Sequence, residues 1–162
     1  MSPRLSLAVQ YATPAPELPR WRLRRWVSHA VAGVAAATDA APGPFRAAAL
    51  TLRLVDAEEG RHLNHEFRQK DYATNVLTFE YGVDPDGVAG GDIVLCLPVL
   101  HREAAEQHKT VLDHAAHLTV HGVLHALGYD HIDPNEADEM EALEVAILHK
   151  MGIADPYQTR SV

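Results

Sequence analysis

Residues 111–131, VLDHAAHLTVHGVLHALGYDH, set the centre of the molecule. At 100° per residue, His114, His117, His121 and His125 fall within about 80° of one another, on one stripe of a helix. Leu118, Val120, Val123 and Leu124 lie between them, so this reads as a central, buried helix. Gly128 offers the helix a stop, and the chain can then turn back to present His131. His121 and His125 are one turn apart, so both imidazoles reach a common point beside the helix. With His131 they form an open tetrahedral site with room for solvent. One Zn²⁺ ion is the first choice for such a set, with nickel, copper and manganese as other candidates. His117 and His114 lie one and two turns earlier and are expected to support or pack rather than ligate.

Outward from this helix, the pattern alternates strands and helices. Leu5, Leu7, Val9 and Tyr11 alternate as in a half-buried strand. Leu23, Trp26, Val27, Ala30, Val31 and Val34 mark one face of a helix that opens near Pro19 and runs to about Thr38, where DAAPGP breaks it. Trp21, Arg24 and Arg25 fall on the opposite face, a candidate platform for an unpaired base. A second strand spans Ala47–Val55, and Asp56 with Glu59 predicts a capped helix through Leu63 and Phe67. VLTFEY (76–81) and DIVLCLP (92–98) read as paired strands joined by the turn-rich DPDGVAGG. Three helices follow, the last from Asp133 to Met151 with Pro134 in its first turn and Gly152 after it. The order predicts one α+β domain over residues 1–162, with a small mixed sheet of about four strands.

Composition narrows the function classes. The chain has 162 residues, 47% of them hydrophobic and 22% charged, which fits an ordinary globular protein. Its net charge is −8, but residues 1–81 carry 10 basic and 8 acidic side chains and residues 82–162 carry 4 and 14. Binding nucleic acid by bulk charge is excluded, and any polyanion must meet a local positive site. No apolar run reaches the ~18–20 residues of a membrane span, and the first residues lack the pattern of a secretory signal. The single cysteine, Cys96, sits in an apolar run and reads as core. The expected setting is cytoplasmic, away from membranes; oligomeric state is not legible.

The spacing His121, His125, Gly128, His131 also matches the metzincin protease frame. Proteases of that type place a glutamate after the first histidine as general base, and here that residue is Gly122. A three-imidazole site leaves the ion its full charge, which favours an anionic substrate over a peptide.

The stretch VHGVLHALGYDHIDPNEADEMEALE (120–144) closely resembles the YbeY family of bacterial rRNA maturation endoribonucleases. LNHEFRQKDYATNVLTFEYG (63–82) and GGDIVLC (90–96) resemble that family's other motifs in the same order, so the likeness covers about residues 45–157. Ala73 stands where the family commonly has proline, and Thr78 where it has serine. The resemblance implies zinc held by His121, His125 and His131, and a functional arginine at Arg68. It implies hydrolysis of single-stranded RNA, with a role in maturing the 3′ end of 16S rRNA and in quality control of the ribosome or its small subunit. Arg68 and Lys70 would then meet the phosphates, since a guanidinium matches phosphoryl oxygens in a two-pronged fashion. Asn75 is a further candidate for substrate binding, or for organising the loop it sits in. The competing readings are a ribosome-assembly factor with structural zinc and a metzincin-like hydrolase.

Overall fold

Alternation along RLSLAVQY makes β1 (Arg4–Tyr11) a strand with Leu5, Leu7, Val9 and Tyr11 packed against the core. Helix α1 (Arg20–Ala36) follows, buried along the six apolar residues its periodicity marks. Pro19 stands just outside it as an extended cap residue rather than in the first turn. The computed structural model describes residues 3–37, 45–129 and 133–157. The expected helix end at Thr38, the DAAPGP break, Asp130 and His131 lie outside the described residues.

Strand β2 (Ala47–Val55) has the expected bounds. Helix α2 (Ala57–Arg68) opens on Asp56, whose carboxylate accepts from the Glu59 N–H at 2.9 Å. The Glu59 side chain leaves the capping box incomplete and pairs instead with Arg53 Nε at 2.6 Å. Strands β3 (Val76–Val83) and β4 (Val88–Cys96) form the hairpin, and α3 (Leu97–Glu106), α4 (Val111–Ala126) and α5 (Pro134–Lys150) complete the order. The strands form one sheet in the order β1-β2-β4-β3, parallel except for β3, which runs antiparallel to β4. The class is α+β with a mixed four-stranded sheet, as the element order predicts.

The hairpin turn is shorter than DPDGVAGG suggests, because Val88–Gly91 continue the strand. Gly91 makes this workable: a Cβ there would meet the Ala126 Cβ at 2.8 Å and the Phe79 carbonyl at 2.9 Å. Glycine lets the end of α4 press directly on β4. Gly122 does the same higher on α4, where a Cβ would lie 2.7 Å from Ile93 Cγ2. The main core therefore sits between one sheet face (Leu50, Leu52, Leu54, Ile93, Leu95) and helices α1, α4 and α5. A smaller cluster of Val55, Leu77, Val94, Cys96 and Val99 lies under Leu63 of α2. Cys96 is buried there, and burial pushes its thiol pKa up, as suits a core residue. No described helix is long and apolar enough to cross a membrane.

Candidate metal centre and its cleft

Helix α4 is buried along ten of its 16 residues, yet His117, His121 and His125 remain partly accessible. The His121 and His125 rings lie 4.5 Å apart, centroid to centroid, nearly perpendicular to each other. Each has its Nδ1 engaged. His121 Nδ1 is hydrogen-bonded to the Glu144 carboxylate, and His125 Nδ1 donates to the Tyr129 carbonyl at 2.9 Å. Such bonds fix the tautomer with the lone pair on Nε2, which is how metal-ligating imidazoles are usually oriented. His131, the expected third ligand, lies outside the described residues.

Glu144 is the residue the sequence reading missed. Its side chain has 0% exposure and accepts from His121 and from the Tyr157 hydroxyl, with His117 Nε2 3.4 Å away. Burial alone would push this carboxyl up, but hydrogen bonds from His117, His121 and Tyr157, with the His121 charge, hold it at about 2. The Tyr157 hydroxyl moves the opposite way, raised by burial and by its bond to Glu144. A signal for Glu144 exists: it falls with Met140, Ile147 and Leu148 on the buried stripe of α5. A carboxylate on an apolar stripe needs a buried partner.

His117, His121 and Glu144 bring three donor atoms within 4.8 Å of one another, a candidate metal triad. It competes with the His121, His125 and His131 set for His121. In the triad the ion would sit beside the Glu144 carboxylate, which is closed off from solvent and already bonded to His121 Nδ1. His121 and His125, by contrast, line an open cleft of about 770 Å³. The donor chemistry fits an ion at the cleft, with Glu144 behind it orienting His121. His114 supports the helix from beneath, bonded through Nε2 to Glu103 at 3.0 Å.

The opposite wall brings in the arginine. Helix α2 ends at Arg68 because Gln69 adopts a left-handed cap (φ 58°), with the Gln69 and Lys70 N–H groups closing on the His65 and Asn64 carbonyls. After that reversal residues 70–75 lead into β3, and Arg68, Lys70 and Asn75 all line the cleft with His121 and His125. Arg68 donates from Nη2 to the Thr78 carbonyl at 3.1 Å, which directs its guanidinium along the cleft wall. Asn75 is anchored from below: its Nδ2 donates to Glu103 at 3.0 Å, linking the loop through that carboxylate to His114. Gly122 faces Ile93 of β4, so the sheet itself leaves no room for a protease-type glutamate at that position.

The family model described as Endoribonuclease YbeY matches residues 9–152. The chain belongs to the YbeY family. The match takes in all of α1 and the end of β1, beyond the three motifs that carry the resemblance. A Bordetella pertussis protein named Endoribonuclease YbeY is 68% identical over 157 residues, covering 97% of this chain and 98% of its own length. A Thiobacillus denitrificans protein of the same name is 48% identical over 160 residues, covering 98% of this chain and all of its own. The solution structure of a Thermotoga maritima protein superposes with a TM-score of 0.52 at 20% identity, over 94% of this chain and 99% of that one. At that identity it speaks for the fold alone.

Proposed function

We propose that this chain is a metal-dependent endoribonuclease that hydrolyses phosphodiester bonds in single-stranded RNA, acting on rRNA within the small ribosomal subunit. One observation carries the reading: the imidazoles of His121 and His125 and the guanidinium of Arg68 line the same cleft. In a chain of net charge −8, that is the local cation a phosphodiester requires. His121, His125 and His131 would hold one Zn²⁺, which when bound would supply Lewis acidity at the phosphodiester. Glu144 and the Tyr129 carbonyl hold the two helix imidazoles in register for that ion. Arg68 offers a two-pronged set of donors to the phosphoryl oxygens, where negative charge grows in the transition state. Lys70 meets a neighbouring phosphate as a point charge, and Asn75 holds the loop.

The test is cleavage of an end-labelled single-stranded RNA by the metal-loaded protein. Cleavage is expected to vanish with chelator and in His121→Ala. Arg68→Glu is expected to remove cleavage while metal content and folding stay near wild type, because the reversed charge opposes both substrate and transition state. RNA cleavage that persists at the wild-type rate in both variants would assign the activity to a contaminant and the metal to structure.

A further inference from the structure

The cleft is lined by an exposed aromatic ring that the hydrolytic reading does not use. Tyr72 is 54% exposed, yet the loop that carries it is fixed on both sides of the ring. Asn64, itself buried, donates Nδ2 to the Tyr72 carbonyl at 2.8 Å. Arg61 closes a two-pronged pair on the adjacent Asp71 at 2.7 and 2.9 Å. The ring is thus offered to solvent from an ordered backbone, so little loop ordering remains to oppose a ligand that stacks on it. It lines the cleft together with Arg68, Lys70, His121 and His125.

An exposed ring flanked by cations matches the repeating unit of a single strand, in which a flat base alternates with a phosphate. We propose that Tyr72 is a stacking platform for one unpaired base beside the phosphodiester held at the cleft, and so a specificity-determining residue. The proposal rests on the endoribonuclease reading above. A base inside a duplex is already stacked and paired, so it cannot lie on this ring, and the platform selects for single strands. Among the described residues the other exposed rings have different partners or places. Phe67 packs edge-on against Phe79 at 5.3 Å, the Tyr81 hydroxyl donates to Asp92 at 2.6 Å, and the Tyr157 hydroxyl donates to Glu144. Trp21 lies under the Arg22 guanidinium, on the helix beside the far edge of the sheet.

The experiment compares wild type, Tyr72→Ala and Tyr72→Phe, all metal-loaded, on a single-stranded oligoribonucleotide and on the same oligomer with abasic sites across its cleavage region. On the intact oligomer Tyr72→Ala is expected to raise KM about 5- to 150-fold, the range of one stacked base, with kcat and metal content little changed. Tyr72→Phe keeps the wild-type KM, because the ring and not the hydroxyl carries the contact. On the abasic oligomer wild type and Tyr72→Ala converge to one KM. Equal KM values on the intact oligomer overturn the platform, as does a Tyr72→Ala penalty that persists undiminished on the abasic one. Wild-type protein that cleaves no RNA defeats the underlying nuclease reading, an outcome distinct from either of these.

Discussion

Glu144 shows how one residue couples the interior to the cleft. Its carboxylate is fully buried, and three donors from two different segments converge on it. Glu144→Gln keeps an acceptor for His121 Nδ1 but removes the charge that makes the ring a better ligand. Metal affinity is expected to fall about 10- to 100-fold, read by competition with a chromophoric chelator, while the far-UV spectrum stays native. An unchanged affinity would reduce Glu144 to a packing role. His114 gives a pH signature of the opposite kind from an ordinary salt bridge. Burial lowers its pKa below the ordinary histidine value of 6.5, with the Glu103 hydrogen bond and charge opposing. The unfolded chain therefore takes up this proton at higher pH than the folded one. The stability His114 contributes is complete above 6.5 and declines as pH falls through that value. The urea midpoint, measured in chelator so that metal loading does not titrate alongside, should drop from about pH 7.5 to about pH 5.5. His114→Gln should show a shallower drop, and an identical slope would place the titration elsewhere. The juxtaposition of His121 and His125 was legible because helical spacing fixes which side chains share a stripe. Glu144 and Tyr157 were not read, because their role depends on how α5 and the segment after it pack on α4.

At the scale of elements, strands and buried helix faces were legible wherever one period dominates, as in the six apolar residues of α1. The misread turn at 88–91 shows the limit. Paired glycines signal a break by local propensity, whereas Gly91 is there because α4 approaches the strand. The first helix fares differently: Trp21 stands exposed, as its place opposite the apolar face of α1 predicts, and neighbouring arginines reach the sheet. Arg20 and Arg24 donate to the Val9 and Leu5 carbonyls, on the unpaired edge of β1, so two of these cations cover a sheet edge. The contact between α4 and the sheet yields a prediction of its own. Gly122→Ala would set a methyl 2.7 Å from Ile93 Cγ2 and 3.3 Å from Val76 Cγ2, in a buried seam with stiff β-branched neighbours. Overpacking of this kind is expected to cost about 1–3 kcal/mol in urea unfolding. It should also disturb metal binding, because His121 is the adjacent residue. A neutral substitution would mean that α4 can lift from β4 without consequence.

Over the whole molecule, the cleft joins parts of the chain that are far apart in sequence. Arg68 and the 70–75 loop form one wall, and the imidazoles of α4 form the other. The helix carrying those imidazoles also lies across the sheet and against α1, α3 and α5, so it is the hub of the core. An ion bound at His121 and His125 would stabilise that hub by mass action, since the unfolded chain offers no preformed site. Adding a chelator to the metal-loaded wild type should therefore lower its Tm. At a free metal concentration about 100-fold above Kd, the linkage is worth about 2.7 kcal/mol. For a chain of 162 residues that corresponds to a shift of roughly 5–10 °C. The double variant His121→Ala/His125→Ala should melt at one temperature with or without chelator, because it has lost two donors of the set. The single variant His125→Ala separates the two candidate donor sets, because only one of them contains His125. Binding through His117, His121 and Glu144 leaves His125→Ala with a full chelator shift, whereas binding at the cleft abolishes most of it. A wild-type melt that does not move after verified metal removal would mean the ion adds nothing to the fold.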